Sequence, residues 1–230
     1  MRLEKTIDYR ELLDVSQVSL ELARELTKYA RYSIDYYFEN QESPPEPKEL
    51  IERFPITRKK SAVFITLEKL SGSGRELRGC IGFVIPYMPL WKAVSESAIS
   101  SAFKDPRFNP LERSEMKDIV IELSILSLSR RLTDPLREIL IGRDGLYIVR
   151  GLYSGVLLPQ VPIDYCWDNE TFLAETCMKA GLEPDCWLDN KTEIYGIPGR
   201  IFAEMEPNGE VVERDLLREY RERCKYSSEL

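Results

Sequence analysis

The chain has 230 residues, with 32 Lys and Arg against 39 Asp and Glu, and it contains no histidine. This length predicts one large domain or two small ones, either of which can bury a hydrophobic core. The absence of histidine excludes Ser-His-Asp and Cys-His catalysis, and every zinc or non-haem iron site that needs an imidazole. The formal net charge of −7 argues against nucleic-acid binding through general basicity, because that binding depends on Lys and Arg neutralising phosphates.

No segment has the length and hydropathy of a signal peptide or a membrane span, so we expect a cytoplasmic protein. Basic residues at 58–60 and 130–131 are few and are expected in solvated turns. The five cysteines include no Cys-x-x-Cys pair, and we predict no metal site. Few Asn and Gln beside many Glu and Arg are typical of thermophile proteins, some of which keep intracellular disulfides. A Cys166–Cys177 or a Cys177–Cys186 bridge is therefore conceivable.

The N-terminal part predicts a long amphipathic helix and then a linker. Asp14 is a good N-cap, and residues of one stripe recur every three or four positions until about Asn40. The tyrosines on this helix are expected in the core and at its rim. Residues 41–55 contain Pro44, Pro45, Pro47 and Pro55, which predicts an ordered surface linker.

A hairpin and a second helix are predicted next. Residues 61–70 alternate as a strand, residues 71–74 form a turn, and a second strand covers about 76–85. Pro89 suits the first turn of a helix that ends near Phe103, with four residues facing inward. These are Leu90, Val94, Ala98 and Ala102. Residues 105–110 predict a fixed loop, and residues 118–128 a half-buried strand.

The C-terminal half predicts short strands and helices in blocks. A turn of helix starts at Pro135, strands cover 145–150 and 153–158, and Asp168 or Asn169 caps a helix that ends at Gly181. A last strand covers 193–205, and a charged helix covers 211–225. Strands and helices do not alternate regularly along the chain. The pattern therefore predicts an α+β fold of antiparallel sheets with flanking helices.

The most informative segment for function is residues 77–82, which read LRGCIG. Two glycines beside a cysteine in a strand indicate a bulge, or a place where a ligand or another backbone approaches closely. Cys80 is therefore a candidate nucleophile, and Arg78, on the same face of a regular strand, would favour its thiolate. The alternative is that Cys80 fills core space while its glycines admit a packed helix.

Four ordered motifs resemble the AMMECR domain family, named after the Alport syndrome, mental retardation, midface hypoplasia and elliptocytosis critical region. They are LRGCIG at 77–82, AFKDPRF at 102–108, GVLLPQV at 155–161 and WD at 167–168. The resemblance implies a domain over residues 12–205 made of two unequal subdomains, with the Cys80 motif lining a cleft between them. A charged C-terminal helix over residues 206–230 follows. Partners implied by the resemblance are a Memo-type protein and a radical-SAM protein of a shared pathway.

Other residues are candidates to bind a ligand in that cleft. Asp105 and Arg107 flank Pro106, and Arg107 either grips an anion or pairs with Asp105 or Glu112. Asp144 stands where the family often has His, and it cannot titrate near neutral pH as imidazole does. The ligand-binding candidates are Arg78, Gly79, Gly82, Asp105, Arg107, Asp144, Gln160 and Asp164.

Two kinds of function stay open. The first is small-ligand binding or cysteine-dependent chemistry in the cleft, with Cys80 as the candidate catalytic residue and no cofactor indicated. The alternative is a non-catalytic adaptor that contacts a Memo-type partner through the cleft or the apolar edge of the terminal helix. That edge comprises Val211, Leu216, Leu217 and Tyr220. An RNA-related function is the least favoured, because of the net negative charge.

Overall fold

The computed structural model describes residues 11–72 and 74–224. None of the described helices has the length and apolar character needed to cross a membrane. The helices are α1 (Leu20–Asn40), α2 (Lys48–Arg53), α3 (Leu90–Phe103), α4 (Pro135–Glu138), α5 (Val161–Asp164), α6 (Asn169–Lys179) and α7 (Leu216–Arg223). The strands are β1 (Ala62–Ser71), β2 (Gly74–Phe83), β3 (Ile119–Leu126), β4 (Arg130–Arg131), β5 (Asp144–Arg150), β6 (Tyr153–Leu157), β7 (Glu193–Glu204) and β8 (Val211–Glu213).

The chain forms two compact units, and the α+β class is confirmed. Unit 1 contains the described residues 11–126 and 201–213, and unit 2 contains 127–200 and 214–224. In unit 1 the strands follow the order β2-β1-β3-β7, with β8 paired to β7. In unit 2 the order is β7-β5-β6, with β4 paired to β7. The strands of each described ladder are antiparallel.

The first helix begins later than the sequence predicts. Asp14 caps a short 3-10 turn, Val15–Gln17, by accepting a hydrogen bond from Ser16 N–H. The α-helix starts only after Ser19, whose hydroxyl accepts from Leu22 N–H at 3.1 Å. Val18 lies between the two caps in extended conformation and is buried, which separates them. The end of α1 at Asn40 is confirmed.

The predicted surface linker over residues 41–55 contains a short helix that the sequence analysis did not predict. Helix α2 covers Lys48–Arg53, between Pro47 at its N-cap position and Pro55 beyond its end. No proline therefore falls in its interior, where the missing N–H would break the helix. Burial of Ile51 anchors this short helix to unit 1.

The sheet of unit 1 packs one face against α1 and α3. Val63, Ile65 and Leu67 on β1 share this face with the odd-numbered residues of β3 and with helix side chains in one core. The β1–β2 hairpin and the predicted inward residues of α3 are confirmed. All eight residues of β3 are buried, so its prediction as a half-buried strand is wrong. The even-numbered residues of β3 are also buried, although they face away from α1 and α3.

Unit 2 has its own core between α6 and strands β5 and β7. Leu146 and Ile148 of β5 pack with Phe172 and Leu173 of α6. Asp168 caps α6 by accepting from Thr171 N–H at 2.8 Å, as predicted. Residues 130–131, expected in a solvated turn, instead form β4 and pair with β7.

The cysteines form two bridges in unit 2, Cys166–Cys224 and Cys177–Cys186. The second bridge is one of the two that the sequence allowed, whereas Cys166–Cys177 is wrong. Cys177 lies on the buried face of α6 next to Cys186, and Cys166 meets Cys224 just after α7. Cys80 is the free cysteine among the five in the sequence.

The predicted helix over 211–225 is partly wrong. Val211–Glu213 forms β8, which pairs with residues 202–204 of β7 through a turn. Helix α7 begins at Leu216, where the side chain of Asp215 accepts from Arg218 N–H at 3.1 Å. The β-branched Val211 and Val212 suit this hairpin. Residue 225, the predicted helix end, and residues 226–230 lie outside the described residues.

Candidate functional site

Cys80 lies in a line of three polar side chains across three strands of unit 1. Thr66 of β1 pairs directly with Cys80 of β2 and with Glu122 of β3. Because directly paired residues project from the same face of a sheet, the three side chains are neighbours there. We call them the Cys80–Thr66–Glu122 row. They lie on the face that points away from the core packed by α1 and α3.

The row is largely buried, and Cys80 is its least buried member. Thr66 and Glu122 are 7% and 4% exposed, whereas Cys80 is partly exposed. The Thr66 hydroxyl donates a hydrogen bond to the Cys80 sulfur, with an Oγ1–Sγ distance of 3.3 Å. Cys80 is therefore the most exposed residue of the row.

The electrostatic surroundings keep the thiol protonated. Burial raises the pKa of Cys80, and the Glu122 carboxylate raises it further. The hydrogen bond from Thr66 and the charge of Arg107 lower the pKa, but they do not offset burial. The prediction that Arg78 favours the Cys80 thiolate is therefore wrong, because the net shift of the Cys80 pKa is upward.

Arg78 does not act on the thiol because the strand is bulged at this point. Leu67 pairs with Gly79 and Glu68 pairs with Leu77, which leaves Arg78 as the extra residue. The predicted bulge is confirmed, and it breaks the alternation that would have put Arg78 beside Cys80.

The guanidinium of Arg78 instead holds the loop that follows α3. It donates to both carboxylate oxygens of Glu115, at 3.1 and 2.9 Å, and to the carbonyl of Asn109 at 3.0 Å. The Arg78 hydrogen bonds lower the pKa of Glu115 to about 2. Arg78, a predicted ligand-binding residue, thus uses most of its hydrogen-bond donors within the protein.

The two glycines of the motif serve close packing. Gly79 pairs with Leu67 and so lies on the face opposite to Cys80. A Cβ atom on Gly79 would lie 2.1 Å from the backbone oxygen of Ser101 in α3. A Cβ atom on Gly82 would lie 2.2 Å from the backbone oxygen of Val63. The missing side chain at Gly79 therefore lets α3 pack closely on β2, as the packing alternative predicts. It does not serve to expose the Cys80 thiol.

Asp105 and Arg107 hold the backbone of Cys80 from the outer edge of β2. The Asp105 carboxylate accepts from Cys80 N–H at 2.9 Å, and Arg107 donates to the Cys80 carbonyl at 3.4 Å. Arg107 also donates to both oxygens of Asp105, at 2.9 and 2.7 Å. The pairing of Arg107 with Asp105, one of the predicted alternatives, is confirmed. The two side chains thus bind the N–H and carbonyl groups of Cys80. On an unprotected edge strand these groups would be free to pair with another strand.

Replacing Asp105 with Asn tests this clamp through its pH dependence. The hydrogen bonds from Arg107 lower the pKa of Asp105 to about 2. The ionised carboxylate therefore stabilises the fold fully above about pH 4, and that contribution is lost as the pH falls through about 2. We expect wild type to lose about 2 kcal/mol more unfolding free energy than Asp105→Asn over this window, measured by urea unfolding. Parallel pH profiles for the two proteins would contradict the prediction.

Asp144 lies in unit 2 and is completely buried. Its carboxylate accepts from Arg143, with the shortest N–O distance at 2.5 Å, from Arg130 at 3.3 Å, and from Leu140 N–H at 3.1 Å. Asp144 is a predicted ligand-binding residue, but its side chain does not reach solvent. The buried carboxylate is thus paired with two arginines whose side chains are partly exposed, at 38% for Arg130 and 41% for Arg143.

The two other candidates of the C-terminal half also belong to unit 2. Asp164 forms ion pairs with Arg214 at 3.7 Å and Arg223 at 3.4 Å, which ties α5 to α7. Its side chain stays 43% exposed beside these arginines, and its role in ligand binding stays a prediction. Gln160 is buried immediately before α5. Neither residue, nor Asp144, belongs to the unit that carries Cys80.

Sequence reasoning missed Thr66 and Glu122. The signal was present in β3, because Glu122 is the one charged residue in the run IVIELSIL. A carboxylate in the middle of a strand that is buried along its whole length requires a polar partner or a function. Treating β3 as half-buried placed Glu122 in solvent and concealed this signal.

Comparison with known proteins identifies the family. The family model AMMECR1 matches residues 27–202 of the chain. The chain belongs to the AMMECR1 family. The AMMECR1 match contains every candidate site residue and ends before α7.

The relatives of this AMMECR1 protein cover most of its length. A protein of Saccharolobus islandicus is 43% identical over 206 residues, which cover 86% of this chain and 88% of the relative. A protein of Thermococcus onnurineus is 46% identical over 201 residues, which cover 84% and 95%. The crystal structure of the uncharacterized protein PH0010 from Pyrococcus horikoshii is similar in fold, with a TM-score of 0.80 and 40% identity. That match covers 89% of this chain and 98% of PH0010.

Proposed function

We propose that this AMMECR1 protein binds a small ligand at the Cys80–Thr66–Glu122 row. The observation that supports this most is a partly exposed cysteine next to two buried polar side chains in the same sheet face. Ligand sites commonly combine apolar walls with a few converging polar groups. Phe64, which neighbours Thr66 on this face, contributes apolar surface beside the row.

Binding fits the chemistry of the row better than nucleophilic catalysis. The raised pKa keeps the Cys80 thiol neutral, and the chain has no imidazole that could take its proton. Cys80 then serves as a polarizable contact and weak hydrogen-bond donor. The carboxylate of Glu122 favours a ligand that presents hydrogen-bond donors.

The test is alkylation of the native protein with iodoacetamide. The other four cysteines are paired in disulfides, so the reaction reports Cys80 alone. We expect labelling that is slow at neutral pH and accelerates as the thiolate forms at a pH above that of an ordinary cysteine. Thr66→Val should slow labelling at a given pH, and Glu122→Gln should accelerate it, because the two groups shift the pKa of Cys80 in opposite directions.

Two outcomes decide the proposal. If Cys80 reacts only after unfolding in guanidinium, the row is closed to small molecules and the proposal fails. If it reacts in the native state, the small-molecule ultrafiltrate of a cell extract should slow labelling, and mass spectrometry then identifies the protecting compound. A reactive thiol that no fraction protects would favour the alternative of a non-catalytic adaptor for a Memo-type or radical-SAM partner. Leu217, 47% exposed on α7, supports that alternative.

A further inference from the structure

Helix α7 contacts unit 2 mainly through side chains that are not buried. Only Leu216 among its eight residues is buried. The Tyr220 hydroxyl donates to the Trp167 carbonyl at 3.1 Å, and Arg223 forms an ion pair with Asp164 that is exposed on both sides. A helix of this length is marginal by itself in water, and exposed ion pairs add little. Its attachment therefore depends strongly on the Cys166–Cys224 disulfide, which closes a separation of 58 residues.

Helix α7 also forms one wall of a surface groove of about 920 Å³ in unit 2. Leu217 and Tyr220 line the groove from α7, and Leu136, Ile139 and Leu140 line it from the region of α4. Leu217 packs closely over Gly142. A Cβ atom added to Gly142 would lie 3.0 Å from the side chain of Leu217. Moving α7 away would therefore remove one wall and expose apolar surface.

The two disulfides differ in how easily a reductant reaches them. Cys177 and Cys186 are 0% and 2% exposed within the core of unit 2. Cys166 is partly exposed, and it lies at a left-handed backbone position with φ of 52° after α5. Thiol–disulfide exchange requires a thiolate to reach a sulfur atom, so Cys166 is the accessible point of attack.

We propose that Cys166–Cys224 is a redox-controlled latch that holds α7 against unit 2. A thiolate of a dithiol reductant attacks the sulfur of Cys166, the S–S bond breaks, and Cys224 leaves as a thiolate that takes up a proton. The second thiol of the reductant then displaces Cys166 as a thiolate, which is also protonated, and the reductant becomes a disulfide. Reduction releases α7 and opens the groove, while Cys177–Cys186 stays closed. This inference is independent of ligand binding at Cys80, which belongs to unit 1.

Hydrogen–deuterium exchange of the full chain with and without dithiothreitol tests the latch. We expect α7 amides to exchange at least about tenfold faster after reduction, while α6 amides keep their protection. Alkylation and mass spectrometry should find Cys166 and Cys224 modified and Cys177 and Cys186 unmodified. Reoxidation should restore the protection of α7.

Two variants complete the test. Cys224→Ser should show the fast exchange of α7 without any reductant. The matched variant Cys186→Ser, which opens the other bridge, should leave α7 as protected as in wild type. The proposal is overturned if Cys177–Cys186 is reduced first, or if α7 stays protected after Cys166–Cys224 has opened. The experiments with dithiothreitol use the wild-type chain, so they test the proposal even if one of the variants folds poorly.

Discussion

Replacing Glu204 with Ala should lower the free energy of unfolding by about 3–5 kcal/mol, because it leaves the buried Arg31 without its carboxylate. The two residues form an ion pair inside unit 1, with side chains 9% and 4% exposed. Arg31 also donates to the carbonyls of Ile119 at 2.8 Å and Met116 at 3.3 Å. Glu204 in turn accepts from Ile121 N–H at 2.9 Å. The pair therefore joins α1, β3 and β7.

The measurement is urea unfolding of wild type, Glu204→Ala and a matched control. Glu210→Ala removes the carboxylate of an exposed ion pair with Arg24, whose side chains are 44% and 67% exposed. We expect this control to change stability by less than about 1 kcal/mol. The double variant Arg31→Met with Glu204→Met should recover much of the loss, because no charge is left buried without its partner. Equal effects of Glu204→Ala and Glu210→Ala would contradict the importance of burial.

Gly79→Ala should strongly destabilise the protein. The added Cβ atom would lie 2.1 Å from the backbone oxygen of Ser101, so β2 or α3 has to move as a whole. Overpacking of this kind typically costs about 1–3 kcal/mol, and contact with backbone places Gly79 at the upper end.

Gly72 supplies the matched control for this substitution. A Cβ atom on Gly72, in the β1–β2 turn, would meet nothing within 4 Å. Gly72→Ala should therefore change the unfolding free energy by less than about 0.5 kcal/mol. Thermal or urea unfolding of both variants measures the difference. A Gly79→Ala protein as stable as Gly72→Ala would show that α3 does not pack on β2 as closely as the structure has it.

Elements with strong local patterns could be predicted from the sequence. The alternation in β1 and β2 and the proline before α3 depend on neighbouring residues only, and these elements are confirmed. The Asp168 cap of α6 is equally local. The four ordered motifs indicated the AMMECR family because they depend on residue identity at short spacing, and the family match confirms it.

The candidate site was predicted only in part, because a strand does not reveal its neighbours. The sequence drew attention to Cys80, but Thr66 and Glu122 lie 14 and 42 positions away along the chain and meet it only through the strand register. The same limit applies to Arg78, because a single bulged residue changes which side chains share a face.

The sequence by itself determined the family, the α+β class, the exclusion of imidazole chemistry and the position of the one motif that draws attention to a thiol. Only the tertiary structure decided the direction in which the pKa of that thiol is shifted, the partners of the charged residues and the bridge from Cys166 to Cys224. The physical reason is that residue type and local periodicity are properties of short segments. Burial, strand register and disulfide geometry arise only when distant segments pack together.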